Sequence, residues 1–220
     1  MASIKVSAFR WVPPALQGLV RDLRVRWALE EAGMAYEEKL IGFGSDLSSK
    51  SYRALQPFGQ IPAYEEDGLA MFESGAIVLH IAERCDALMP SDPAARARVK
   101  TWIFAAINTL EPDIQSLFSI DFFHADEEWA KLRRPAVEQM VNKRLLDLSA
   151  RLDGHQYLEG GFTAADLMMT HVLRFLRDTS LVADIPTLDA YRRRCEARPA
   201  FQKALAGQLA AFASNAPAIA

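Results

Sequence analysis

The sequence predicts two folded parts in series, an α/β domain over residues 1–86 and an all-helical domain over residues 94–220, joined by a linker at 87–93. Three observations carry this. Up to Cys85, short alternating apolar runs are interleaved with helical periodicity and turn residues. From Ala94 onward there is no strand pattern of any strength. Between them, Asp86-Ala-Leu-Met-Pro-Ser-Asp-Pro93 carries two prolines and several capping residues, the composition of a linker.

The elements follow in order. Ile4–Phe9 alternates like a half-buried strand. Arg10-Trp-Val-Pro-Pro-Ala-Leu-Gln-Gly18 forbids its continuation and reads as a structured loop. Leu19–Ala32 has helical spacing, with Gly33 as its stop, and Tyr36–Ile41 is a second strand. Ser45–Ser51 reads as polar loop, and a short helical piece over Tyr52–Leu55 ends at Pro57. Ile61–Tyr64 and Leu69–Phe72 are apolar runs around Glu-Glu-Asp-Gly, and Asp67-Gly68 is a strong hairpin signal. A strand-helix-strand unit implies a parallel pair with a right-handed crossover, and the hairpin adds an antiparallel pair. In the second part, Ala94–Ile120 reads as a long helix bent near Pro112, and Glu127–Leu152 as another with Pro135 as an early kink. Further helices start at Thr163, near Thr187 and after Pro199, with a loose tail from Ser214. Thr163 and Asp166 make a capping box with aspartate in place of glutamate, flanked by Phe162 and Leu167 as a hydrophobic staple.

Composition bounds the function. Half of the 220 residues are apolar, and the net charge of −3 with pI near 5.8 lacks the basic excess that nucleic-acid binding needs. Cys85 and Cys195 have no metal-ligand spacing, so they read as structural thiols and no metal is expected. With neither a secretory start nor an apolar run of membrane-spanning length, the cytoplasm is the expected location.

One stretch organises the rest. Phe58-Gly-Gln-Ile-Pro62 leads into the hairpin, and the hairpin brings Pro62 near Glu73-Ser74. Ser74 is placed to cap the helical run that follows, and a helix N-terminus with free amides and a hydroxyl accommodates a carboxylate. Glu73 beside it suits a positive group, so the pair fits an amino-acid-like ligand.

This order of Gln60-Ile61-Pro62, Glu73-Ser74 and, far downstream, Gly161-Phe-Thr-Ala-Ala-Asp166 resembles a bacterial-type cytosolic glutathione transferase, over about Ile4 to Phe212. The resemblance implies a thioredoxin-like first domain with Pro62 as a cis-proline. It implies that Ile61 pairs through its backbone with the cysteinyl part of glutathione, that Glu73 and Ser74 hold the γ-glutamyl end, and that Gln60 lies close by. Lys50 is a candidate for the glycyl carboxylate, or a solvated surface lysine. The usual activating residue is missing: alignment puts Ala15 where a tyrosine would stand, and Leu19 or Val20 where a serine or cysteine would. Arg21 is the remaining catalytic candidate, since a guanidinium near the sulfur favours thiolate; the alternative is an ion pair with Asp22 or Glu65. Trp11, Phe118 and Phe122 are expected to line an electrophile pocket between the domains, with His124 as a possible general acid or simply exposed. The implied function is transfer of glutathione to a small hydrophobic electrophile, by a homodimer. A disulfide or peroxide reductase and a non-catalytic glutathione-binding scaffold stand as alternatives.

Overall fold

The computed structural model describes residues 3–217. These fall into two compact units, one of residues 3–88 with 198–217 and one of Met89–Ala197. The last helix, grouped above with the helical domain, packs with the α/β part instead.

The first unit holds a four-stranded sheet in the order β2-β1-β3-β4. β1 (Ile4–Phe9) and β2 (Tyr36–Ile41) run parallel, with Ile4 opposite Tyr36 and Phe9 opposite Ile41. Between them α1 (Asp22–Ala32) supplies the crossover and ends at Gly33 in the left-handed conformation, φ 65°. α1 starts three residues later than its periodicity suggests. Leu23 N–H bonds Val20 C=O at 3.0 Å and Arg24 N–H bonds Arg21 C=O at 3.2 Å, so the chain enters through tighter turns before the helical ladder begins.

The presumed polar loop at Ser45–Ser51 is also helical, as α2 (Ser45–Ser48) and α3 (Lys50–Leu55). Its serines bond backbone groups there: Ser48 Oγ donates to Gly44 C=O and Ser49 Oγ accepts from Tyr52 N–H as the cap of α3. β3 (Ala63–Glu66) and β4 (Leu69–Phe72) form the hairpin, antiparallel to each other, with β3 antiparallel to β1. Asp67 and Gly68 lie at φ 48° and 84°, the two-residue turn that matches strand twist. β3 starts later than expected because Pro62 has no N–H for the ladder.

α4 (Ser74–Ala82) follows β4 directly, and α10 (Pro199–Ser214) lies against α1. Trp27 and Phe201 meet edge to face at 4.7 Å, and Arg198 grips Glu31 with two bonds of 2.6 and 2.7 Å. Lys203 adds a 2.7 Å pair with Glu30.

The second unit is helical. α5 (Pro93–Ala105) and α6 (Glu111–Phe123) are joined by a π-helical turn over Ala106–Leu110. The bend expected near Pro112 takes this form: the proline cannot donate to Asn108 C=O, and the widened turn accommodates the loss. α7 (Glu128–Leu152) is continuous through Pro135. α8 (Ala164–Leu173) is buried along its whole length, and α9 (Pro186–Glu196) packs on both α7 and α8. The Thr163–Asp166 capping box is formed, with Thr163 N–H and Asp166 Oδ2 2.9 Å apart. Asp166 also accepts from Leu158 N–H at 2.9 Å and Tyr191 O–H at 3.0 Å, so one carboxyl ties three segments together. The tail residues 218–220 lie outside the described residues.

Candidate functional site

The geometry of the first unit gathers around Ile61–Pro62, whose peptide bond is cis. Behind it runs a chain of hydrogen bonds. Ala63 N–H donates to Ser7 Oγ at 2.6 Å, Ser7 and Tyr52 hydroxyls are 2.8 Å apart, and Tyr52 O–H donates to Gln60 C=O at 2.6 Å. Tyr52 has one proton and gives it to Gln60, so Ser7 must be the donor to Tyr52. The chain therefore clamps the backbone on both sides of Ile61–Pro62. Ser7 and Tyr52 are each 3% exposed, and burial raises the Tyr52 pKa, keeping its hydroxyl a donor. No backbone hydrogen bond among the described residues uses the Ile61 N–H or C=O. Both groups remain for an extended ligand laid along this edge. Gln60 is exposed, and its carbonyl rather than its side chain carries the described contact.

Ser74 is the first residue of α4, and the cap position is Glu73. This corrects the expected cap. Glu73 sits at φ 68° without a side-chain bond to the helix, which leaves the first-turn amides uncapped by protein. Glu73 is exposed and Ser74 buried. Arg24 Nη1 donates to Ser74 Oγ at 3.2 Å. With a lone pair taken by the guanidinium, the Ser74 proton is left to donate outward, and a buried cation stands behind it. An uncapped helix start, a hydroxyl donor and Arg24 together favour a carboxylate.

Arg21 stands at the cap position of α1, half-buried, with its neighbour Val20 packed against the cluster of Ile41, Tyr52, Ile61 and Ala63. The entry to α1 is thereby held beside the cis-proline edge. Of the positions where alignment would put an activating residue, Leu19 is buried in the core at 2% exposure, and Ala15 is exposed on a 3₁₀ turn. Asp22, the partner considered for Arg21, is fully buried and receives Arg26 Nε at 2.6 Å and Gln208 Nε2 at 2.8 Å. Burial pushes the Asp22 carboxyl upward and works against the Arg26 charge. For Arg26 the fields of Asp22 and Glu38 outweigh burial and the net movement is upward. Two short donors on Asp22 are the geometry of a carboxylate, and we read the pair as ionised. Lys50 is exposed at the first position of α3. Trp11 lies half-buried on the loop after β1, where Arg10 reaches Asp46 at 3.8 Å.

In the helical unit, Phe118 and Phe122 stack at 5.3 Å, and Phe175 meets Phe118 edge to face at 5.4 Å. With Leu117, Leu176 and Thr179 they line a small cavity of about 120 Å³. His124 pairs with Glu127 at 2.7 Å, and its hydrogen bond holds Glu127 below the ordinary carboxylate range. Thr163 and Asp166 are buried and structural. Among the described residues no group of three or more His, Cys, Asp or Glu is placed to hold a metal, and no helix is long and apolar enough to cross a membrane.

Sequence reasoning passed over Ser7, Tyr52, Arg24 and Gln208. Arg24 and Gln208 did leave a signal. Arg24 lies in the buried stretch of α1, and Gln208 interrupts the stripe Phe201, Ala204, Phe212 on α10. Nothing local marks Ser7 or Tyr52.

A four-stranded sheet of this order, a cis-proline ahead of its hairpin and a separate helical unit define a thioredoxin-like, two-unit fold. Two family models match most of the chain. The N-terminal domain of glutathione S-transferase matches residues 16–83 and its C-terminal domain residues 113–208. A glutathione S-transferase from Hyoscyamus muticus is 29% identical over 87% of this chain and 95% of its own, and the rat alpha-2 enzyme is 29% identical over 82% and 81%. A theta-class transferase from Xanthomonas axonopodis pv. citri, solved with glutathione bound, superposes at TM-score 0.77 with 27% identity, covering 93% and 98% of the two chains. A Burkholderia graminis transferase with two glutathione molecules per subunit superposes at 0.80 with 26% identity, covering 92% and 87%. The chain belongs to the cytosolic glutathione transferase family.

Proposed function

We propose that this protein binds glutathione along the Ile61–Pro62 edge and transfers it, as the thiolate, to a small electrophile. The observation that carries the reading is the pairing of an unused Ile61 peptide with the uncapped start of α4. Ile61 N–H and C=O would pair with the cysteinyl backbone. The Ser74 hydroxyl and the first α4 amides would take the γ-glutamyl carboxylate, and exposed Glu73 its ammonium. Gln60 borders this edge, and Lys50 is free to swing toward the glycyl carboxylate.

A free thiol titrates near pH ~8.5, and the thiolate is the nucleophile. Arg21 and backbone amides at the entry to α1 would stabilise it. The sulfur then attacks the carbon bearing the leaving group: the C–S bond forms, the bond to the leaving group breaks with its electron pair, and the thiol proton passes to solvent. Within the helical unit Phe118 and Phe122 offer a stacked aromatic face, and within the first unit Trp11 offers an apolar one. Transferase activity of this kind fits the cytoplasm.

A disulfide reductase is the second reading, favoured by the relative that holds two glutathione molecules per subunit. Turnover of an aromatic chloride and of hydroxyethyl disulfide, each with glutathione and each beside Arg21→Ala, separates the two. Halide turnover that falls at least tenfold in the variant is expected; disulfide turnover alone supports the second reading. Glutathione binding without either activity indicates a scaffold, and absence of binding overturns all three.

A further inference from the structure

Gln208 stands at 0% exposure in the middle of α10, where its neighbours on the same face are Phe201, Ala204 and Phe212. A leucine would continue that stripe without burying an amide, and an unbonded amide there is costly. The structure shows how every polar atom of this side chain is used. Gln208 Oε1 accepts from Gly18 N–H at 3.1 Å, while Nε2 donates to Asp22 Oδ1 at 2.8 Å and to Val20 C=O at 3.4 Å. The partners fix which end is oxygen, since Gly18 needs an acceptor and the other two need donors. Gly18 lies at φ 77°, so the segment is turned to meet the amide.

α10 also has anchors that do not involve Gln208. Trp27–Phe201, Arg198–Glu31 and Lys203–Glu30 already hold it to the body of α1. Gln208 reaches past that body to the five residues before and at its start, and Arg21 lies between two of its partners. Val20 C=O accepts from Leu23 N–H at 3.0 Å as well as from Gln208, so the Arg21 N–H on the same trans peptide points away from both donors. Through Asp22 the grip continues to Arg26 and on to Glu38.

We infer that Gln208 is a positioning residue for the thiolate-stabilising corner, holding Gly18–Asp22 so that the Arg21 guanidinium and amide face the sulfur of bound glutathione. This rests on the reading of Arg21 given above. The last helix thus sets the chemistry of a loop nearly the whole chain away in sequence.

The test uses the full chain with Gln208→Leu and Gln208→Glu. Leucine removes all three bonds. Glutamate keeps the acceptor for Gly18 but sets a second carboxylate against Asp22, and it decides the matter alone if the leucine variant does not fold. Glutathione affinity is measured by calorimetry, and the thiol titration by ultraviolet absorbance of bound thiolate and by kcat/KM against pH with an aromatic chloride. The expected result is affinity within about threefold of wild type, a titration midpoint about one pH unit higher, and roughly tenfold slower turnover below it. Hydrogen exchange at the Gly18 amide should quicken while α10 stays protected. A midpoint unchanged in a folded variant overturns the role of Gln208 alone. A wild-type chain that does not bind glutathione overturns the reading beneath it.

Discussion

Ser74 gains its meaning from Arg24. A serine at the first turn of a helix is ordinary, but a buried guanidinium 3.2 Å from its oxygen presets the hydroxyl as a donor. Ser74→Ala should raise the glutathione KM about tenfold with kcat little changed, the loss of one hydrogen bond to a charged group at about 1.4 kcal/mol. Initial-rate kinetics at varied glutathione check this, and a fall in kcat at constant KM would move Ser74 from binding to chemistry. Glu66 is a second case of one side chain set by its surroundings. Arg84 grips it at 2.5 and 2.9 Å, Tyr64 O–H adds a bond of 2.7 Å, and its pKa falls from 4.5 to about 2. A carboxyl whose folded pKa is depressed stabilises the fold above its unfolded value, and that contribution is lost as pH falls from 4.5 toward 2. The melting temperature of wild type should exceed that of Glu66→Gln at neutral pH. The gap should close across that acid window, and a gap independent of pH would refute the pairing as its source.

Among the elements, α8 carries the helical unit because both ends of its start are satisfied. Thr163 caps it, and Asp166 answers from the third position while also holding Leu158 and Tyr191. Thr163→Ala should cost about 1 kcal/mol in urea unfolding, the usual loss of a cap. Asp166→Ala should cost more, about 3 kcal/mol, because it strands two buried donors, Leu158 N–H and Tyr191 O–H, besides the Thr163 N–H of the capping box. Equal costs would mean that the bonds to Leu158 and Tyr191 contribute little. The hairpin and α8 were both legible in the sequence, through Asp67-Gly68 and Thr163-x-x-Asp166, because their signals lie within four residues. The start of α1 was not. Its periodicity runs back to Leu19, but Gln208 and the tight turns at Val20 and Arg21 hold those residues out of the helix.

The division of the chain also differs from its texture. Helical composition groups α10 with the second unit, yet its apolar face and Arg198 belong to α1. As for assembly, the first unit exposes Phe58 and Phe72, 64% and 36% accessible and edge to face at 5.9 Å. We expect a homodimer that covers such surface. Sedimentation at micromolar concentration should give twice the chain mass, and a species of 24.5 kDa would count against it.

The amino-acid sequence by itself determined the strands, the hairpin, the capped helix and the line of residues from Gln60 to Ser74, because each is written in short-range periodicity, turn chemistry or a motif. Only the tertiary structure decided what stands behind that line. Ser7 reaches Ala63 across the sheet, Arg24 reaches Ser74 between helices, and Gln208 reaches Gly18 from the far end of the chain. Such partners are chosen by packing in three dimensions, where a single buried polar group must find its complement wherever the fold places one. No local pattern records that choice.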